Sequence, residues 1–413
     1  MSLLQDCVPA LNNDVCPPTI RGIADLTTFA YHGHSFDQLM DRIGHSESEA
    51  GALLDLSIAL QLDFRPEEGL RLQAEALRRS ALYRVRPEQA SPHAIRLLAL
   101  AGPGDLMANT PLDFLTNHLD VRLDLLHVIP GEKLPEAIPD HDVAFFAHGD
   151  PDPDTLARLT RLYRLWPRPA LNDPRFLPGL ARDALSRSLQ GIPGIRSPTA
   201  IAVGRAALEA WLNGGTPVDG FRSLDTMFPC LIRPAGSHAG HGLYKAADRD
   251  ALAGYLLTTL GNDFTVSAFV DYSDPDGMFR KSRVAFIDRQ PFLCHMAISR
   301  HWMVHYLNAG MDSSPEKRVE EGFAMRTFDH GFAKRHAAAF NALHERLGFD
   351  FYSIDCAETR DGRLLVFEAD AAAIIHMMDP VETFPYKHPQ MRRVFDSFGA
   401  MLQRRMPALA GAV

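Results

Sequence analysis

Apolar positions fall at helical spacing through the first ninety residues, and the rhythm then changes. "EAGALLDLSIALQLDF" and "PEEGLRLQAEALRRSALYRV" each carry apolar residues at the spacing of a helix, separated by Arg65-Pro66. Pro66 has its φ preset for a first helical turn, and Glu67 and Glu68 suit the positive end of a helix. Residues 1–90 therefore read as a helical region, a cap or a partner surface, with Tyr31-His32-Gly33-His34 as a loop before the first helix. From Ile95 to Ala101 the chain reads as a buried strand. A Gly102-Pro103-Gly104 turn and a helix over Pro111 to Leu119 follow. "HDVAFFAHGDPDPDTLARLTRLYRLW" repeats the strand-then-helix order, so residues 91–198 predict a parallel α/β domain. The 102–104 turn is not a GxGxxG, and its proline removes an amide that a phosphate loop would offer.

From Thr199 the pattern becomes antiparallel. "DFTVSAFVDY" reads as one strand, and "FRKSRVAFIDRQPFLCHMAIS" as two strands around Asp288-Arg289-Gln290-Pro291. After a helix over Phe332 to Arg346, "FYSIDCAETRDGRLLVFEAD" forms a hairpin whose turn holds Asp361-Gly362. These elements predict a mixed α/β and α+β multidomain chain. Its last unit, 199–413, divides into 199–270 and 271–413.

Composition narrows the class. The chain has 413 residues, too many for one ordinary core, with 46% apolar and 23% charged residues, as in soluble globular proteins. A net charge of -9 argues against general nucleic-acid binding. Five cysteines at 7, 16, 230, 294 and 356 include no CxxC pair and read as reduced thiols. No stretch approaches the roughly 18 apolar residues of a membrane span, and the N-terminus shows no signal-peptide pattern. The expectation is a cytoplasmic protein with no membrane partner.

Candidate chemistry lies in the last hairpin. Glu368 and Asp370 are two apart and share a strand face, with Asp355 near their level on the neighbouring strand. Three carboxylates on one face need a compensating cation, and hard oxygen ligands suit Mg2+, with Mn2+ as an alternative. Upstream, Gly236, Gly240 and Gly242 let backbone amides approach an anion, Ser237 and His238 add donors, and Arg233 adds a permanent charge with a phosphate-matching fork. Together the two segments read as a triphosphate site. His301 and His305 have the spacing of a zinc pair on a helix, but no Glu follows His301, and "RHWMVHY" reads equally well as strand.

Arg233-Pro234 with its glycine loop, then "FTVSAFVDY", "RKSRVAFID" and "IDCAETRDGRLLVFEAD", resemble the ATP-grasp ligases in order and approximate spacing. The nearest look is to the RimK-like and D-alanine-D-alanine ligase-like branches. "LNDPRFLPGLARDALSRSLQGIPGIRSPTA" looks like the segment those proteins carry before the grasp. The resemblance covers roughly residues 93 to 380. The helix pair before it resembles a single tetratricopeptide-like unit with no second copy. The resemblance implies an ATP-grasp fold: a pre-grasp α/β domain and two antiparallel α+β subdomains, behind an N-terminal helical region. It implies that Asp355, Glu368 and Asp370 hold Mg2+ on the ATP phosphates, and that Arg233 and Arg182 hold the phosphates. Ser267, Ala268, Phe269 and Val270 would form the adenine hinge. Arg283 would reach the γ-phosphate or acyl phosphate, and Arg300 and Asn308 would face the acceptor. Arg233 stands where the family usually has lysine, Asp370 where it has asparagine, and "AAAIIHMMDP" lacks the usual early proline.

The implied activity is ATP-dependent ligation of a carboxylate to an amine through an acyl phosphate, releasing ADP and phosphate, with the 236–242 loop as lid. No GxSxG or Cys/His nucleophile signature is present, and none is needed. Amino acids or short peptides fit as substrates, and a homodimer fits the family. The rival reading is a non-catalytic nucleotide-binding adaptor whose helical segment docks a partner.

Overall fold

The computed structural model describes residues 8–44, 48–86, 91–214, 227–237 and 240–406. Its first sheet follows from strands that are apolar on both faces, a pattern that demands cover on both sides. β4 (Ile95–Ala101), β5 (Val121–His127) and β7 (Val143–Phe146) are almost wholly buried. With β2 (Thr19–Ile20), β3 (Leu82–Val85) and β8 (Ala170–Leu171) they form six strands in the order β2-β3-β5-β4-β7-β8, every pair parallel except β3 with β5. A short parallel pair, β1 (Ala10–Leu11) with β6 (Ala137–Ile138), lies apart from it.

The helices α1 (Ile23–Tyr31), α2 (Phe36–Ile43), α3 (Glu49–Leu62) and α4 (Pro66–Arg79) lie between β2 and β3 in the chain. α3 and α4 approach so closely at Gly69 that a Cβ there would sit 2.6 Å from the Ser57 carbonyl oxygen. Two expectations change here. Tyr31-His32-Gly33-His34 forms the end of α1 and the turn after it rather than preceding the first helix, and the helical stripe stops at Arg79. Leu82–Val85 becomes a sheet strand because its apolar residues find a partner in β5, so strands on both sides of residue 90 share one sheet.

One face of the sheet packs on α6 (Pro153–Leu165) and Trp166. The other packs on α13 (Lys387–Arg405), whose Val394, Phe395, Phe398 and Met401 lie between Leu97 and Phe145 on one side and Ala285 and Phe351 on the other. α5 spans only Leu112–Thr116, shorter than the 111–119 pattern suggests.

A four-stranded antiparallel sheet follows in the order β10-β13-β11-β12: β10 (Ala200–Gly204), β11 (Cys230–Pro234), β12 (Tyr244–Ala246) and β13 (Asp263–Ala268). α8 (Arg205–Leu212) and α9 (Arg249–Thr258) cover it through Leu208, Trp211 and Leu252. The last sheet has the order β15-β14-β16-β17-β9: β9 (Ile195–Arg196), β14 (Phe279–Ile287), β15 (Gln290–Ser299), β16 (Phe351–Glu358) and β17 (Leu364–Asp370). Asp288 and Arg289 have φ of 48° and 72°, as a two-residue hairpin turn between twisted strands requires. α7 (Arg182–Leu189), α10 (Pro315–Thr327) and α12 (Ala337–Leu347) pack on the face carrying Val284, Phe286 and Ile354. The expected helix over 332–346 is broken: α11 (Phe332–Arg335) and α12 meet at His336, a buried residue whose Nε2 lies 2.7 Å from Glu358 Oε2.

No helix among the described residues is long and apolar enough to cross a membrane.

Candidate functional site

Four ionisable residues stand in one row across the last sheet. His295 on β15 pairs with Arg283 on β14, Arg283 with Asp355 on β16, and Asp355 with Glu368 on β17. Two β-bulges create the row. Regular pairing from Cys356↔Val366 would set Asp355 against Phe367, but the bulge between Asp355 and Cys356 brings Glu368 there instead. A second bulge between Arg283 and Val284 brings His295, not Cys294, opposite Arg283. Bulges re-aim side chains in this way, because one extra residue reverses the in-out alternation beyond it.

Each carboxylate in the row has a cation. Arg283 grips Asp355 with both arms of its fork, at 2.8 and 3.2 Å, and Lys281 Nζ lies 2.7 Å from Asp355 Oδ2. Arg182 at the start of α7 donates to Glu368 Oε2 at 2.7 Å. Only 5% of the Asp355 side chain is accessible. Burial by itself raises its pKa, but Arg283 and Lys281 outweigh that and hold the carboxyl well below the usual range. Glu368 keeps 32% of its side chain accessible. Burial and Asp355 raise its pKa, yet Lys281 and Arg182 leave it lowered.

Arg233 stands one residue before the end of β11, near this group. Burial first, and then the neighbouring Arg182, push its pKa down to about 10. Its Nε donates to Ser237 Oγ at 2.9 Å and a terminal nitrogen to the Ser237 carbonyl, so Ser237 folds the loop back on Arg233. The loop needs glycine where the backbone turns left-handed. Gly242 has φ of 65°, and a Cβ there would lie 2.7 Å from Pro234 Cδ. A Cβ on Gly240 would lie 3.6 Å from Met303 Sδ, so the glycine loop sits against the segment that follows β15. His238 lies outside the described residues.

The expected metal ligands are only partly gathered. Asp355 and Glu368 share a register position, whereas Asp370 lies opposite Ser353 and its Oδ1 accepts from the Ala372 amide at 2.7 Å. Among the described residues no three His, Cys, Asp or Glu side chains converge on one metal position. Two adjacent carboxylates still suit Mg2+, which commonly takes one or two and leaves its other positions to water and phosphate. Four cations (Arg182, Arg233, Lys281, Arg283) against three carboxylates leave the group suited to a further anion.

At the hinge, Ser267 and Ala268 close β13 opposite Leu231 and Cys230. The Ala268 and Phe269 amides donate to the Thr199 and Pro229 carbonyls, both at 3.0 Å, so these two amides serve the fold. Val270 packs in the apolar cluster around Tyr272. Arg300 is exposed after β15. Asn308 is exposed too, and its Oδ1 accepts from the His305 amide at 3.0 Å in a one-turn helix.

Sequence reading passes over Lys245 and His295, and takes Lys281 only as a cation facing an anionic substrate. Lys281 is two residues before Arg283, so simple strand alternation places it on the same face. Lys245 on β12 holds its ammonium 3.4 Å from the centre of the Phe269 ring. Burial and neighbouring cations depress His295 and His305. The zinc spacing of His301 and His305 finds no shared helix: each Nδ1 accepts a local amide, of Met303 and Leu307. Behind β15, the buried Glu321 accepts from Tyr306, Tyr386 and the Met296 amide, and Lys387 pairs with Asp379 at 3.1 Å.

No protein-family model matches the sequence, and neither does any curated protein. Among solved structures, the chain is similar to a D-alanine–D-alanine ligase from Bacillus anthracis complexed with ATP, with TM-score 0.45, 16% identity, and coverage of 75% of this chain and 98% of that one. It is also similar to the VanG D-Ala:D-Ser ligase from Enterococcus faecalis, at TM-score 0.44, 13% identity and coverage of 75% and 100%. A RimK domain ATP-grasp protein from Sphaerobacter thermophilus gives TM-score 0.41, 17% identity and coverage of 76% and 100%.

Proposed function

We propose that the chain is an ATP- and Mg2+-dependent ligase that joins a small carboxylate to an amine, forming an amide through an acyl phosphate and releasing ADP and phosphate. The observation that carries this reading is the cross-strand row Arg283–Asp355–Glu368, with Lys281 and Arg182 on its carboxylates and Arg233 beside it. Fixed cations stabilise the negative charge that spreads over a phosphoryl group in transfer. Asp355 and Glu368, with Asp370 beyond them, would hold Mg2+, which neutralises phosphate charge when bound. Arg233 and Arg182 would orient the phosphates, and Arg283 would stand by the oxygen that accepts the phosphoryl group. Lying against Met303, the loop around Gly240 is suited to exclude water from a hydrolysable acyl phosphate. The 267–270 segment would border adenine through its carbonyls, and Arg300 and Asn308 would meet the amine substrate. An amino acid or short peptide in the cytoplasm, with the enzyme as monomer or homodimer, fits this chemistry.

Product analysis tests the proposal. The protein is incubated with ATP, Mg2+ and an amino-acid pool, with and without hydroxylamine. ADP that rises with particular acids, with a trapped hydroxamate, is the expected result. AMP would point to adenylation and overturn the mechanism. Tight Mg-ATP binding without turnover on any acid would favour a nucleotide-binding adaptor.

A further inference from the structure

A second cavity lies away from the charged row, at the end of the six-stranded sheet. β4 has β5 on one side and β7 on the other, both parallel to it, so the chain leaves β4 and its neighbours toward opposite sides. Open α/β sheets take ligands in the crevice at such a switch point. Here the N-terminal helices roof the crevice. Ile58 and Gln61 of α3 and Gln73 of α4 face Ala101, Asn109 and His127 across a cavity of about 100 Å³. That is room for roughly six or seven atoms the size of a water.

The polar groups of its wall divide sharply. Gln73 is spent on Gly104, donating to its carbonyl and accepting from its amide, both at 2.8 Å. Asn109 brackets Gly102 in the same way, at 2.7 and 2.8 Å. Gln61 Oε1 is buried without a protein hydrogen-bond partner, and His127 Nδ1 makes no well-formed one although the Ala81 backbone lies near its ring; the two residues are only 9% and 6% exposed. Leaving such an atom unpaired is costly, so two on one cavity's wall call for an occupant that pairs with them. The remaining wall is mostly aliphatic. It holds no lysine or arginine, and its charged residues are Asp105 and Asp113, which disfavours an anion. Burial holds His127 neutral, with its pKa pushed down to about 4, so it supplies no cation either.

We propose that this cavity binds a small uncharged molecule with an aliphatic body and a hydrogen-bonding head, of the class of short-chain amides and alcohols. The head donates to Gln61 Oε1 and pairs with His127 Nδ1, while the body lies against Ile58 and Ala101. The site uses none of the residues assigned to nucleotide or metal, and it stands or falls independently of the ligase reading.

The test titrates isobutyramide into the full chain, following the His127 ring nitrogens by NMR and thermal stability in parallel. A saturable His127 shift with a rise in melting temperature is expected, absent with isobutyrate. Gln61→Leu should weaken binding at least tenfold with Mg-ATP affinity unchanged, and Ile58→Trp should block it by filling the cavity. If Ile58→Trp fails to fold, Gln61→Leu decides alone. The proposal is overturned if neither isobutyramide nor isobutanol shifts His127 saturably, which would leave water as the occupant. It is equally overturned if isobutyrate binds as well as the amide, or if Gln61→Leu binds with wild-type affinity.

Discussion

The charged row on β14, β16 and β17 and the crevice at the end of β4 both bury ionisable side chains, and they manage them in opposite ways. In the row the carboxylate charges are kept: Asp355 is held ionised by Arg283 and Lys281, and Glu368 by Lys281 and Arg182. At the crevice charge is suppressed. On the crevice wall burial pushes Asp113 up to about 6 and His127 down to about 4; close by, it pushes Asp55 up to about 7 despite the backbone amides and charge of Arg21, and His148 down to about 4. Desolvation acts on both regions, and the partner decides the outcome. Where carboxylates and cations are paired the row keeps its field, whereas the crevice, with no lysine or arginine on its wall, is a neutral, mostly apolar hole.

The largest expected effect is catalytic. Glu368→Ala should reduce acid-dependent ADP formation at least a hundredfold, with the circular dichroism spectrum unchanged, whereas Asp370→Asn should retain most activity. Equal losses would contradict the assignment of Glu368 and Asp355 as the principal pair. Next comes stability within the row. Asp355→Ala leaves Arg283 and Lys281 without their buried carboxylate partner and should cost about 3–5 kcal/mol in denaturant unfolding. The matching change in the crevice, His127→Leu, removes a ring nitrogen with no well-formed partner and should cost less than about 1 kcal/mol at pH 7. Comparable losses at the two sites would erase the distinction between them.

The pH dependence sharpens it. His127 has a folded pKa of about 4, below its usual 6.5, so the unfolded chain binds the proton first. Its contribution is present above pH 6.5 and is lost as pH falls toward 4, by about 2 kcal/mol at pH 5. Asp55 and Asp113 shift the other way, since their raised pKa values favour the folded state at low pH and that contribution is lost as pH rises through about 6 to 7. The two pairs oppose each other in the wild type. In His127→Leu one opposing contribution is gone, so the variant should gain on wild type by about 2 kcal/mol between pH 7 and pH 5. A constant difference across that range would mean that His127 is not held neutral. Gly242→Ala should cost about 1–2 kcal/mol, from a left-handed backbone and a Cβ pressed on Pro234, and should weaken Mg-ATP binding. Arg300→Ala, at an exposed position, should change stability by less than about 0.5 kcal/mol, and any effect should appear in the KM for the amine.

Much of the row was legible before folding. The Asp361-Gly362 turn set the last hairpin, Glu368 and Asp370 announced themselves by spacing, and the glycines after Arg233 marked a loop of unusual backbone. Register was not legible. Strict alternation from Cys356↔Val366 puts Glu368 on the same face as Val366 and Phe367 opposite Asp355, and only the bulge reverses this. No local pattern in "VFEAD" shows it, because a bulge is stabilised by what packs on both sheet faces. His295 was hidden for the same reason. The crevice was invisible too, since Gln61 and His127 are 66 positions apart and each alone looks like an ordinary helix or strand residue.

What the sequence determined by itself is local: where helices start, where glycine permits a turn, and which strands must be covered on both faces. Those follow from φ limits, capping and periodicity, which act over a few residues. What the tertiary structure decided is which side chains meet. It drew Leu82–Val85 into the six-stranded sheet, set Arg283, Asp355 and Glu368 in line, and roofed the end of β4 with α3 and α4. Those outcomes depend on burying surface between segments far apart in the chain, a free energy that no single segment contains.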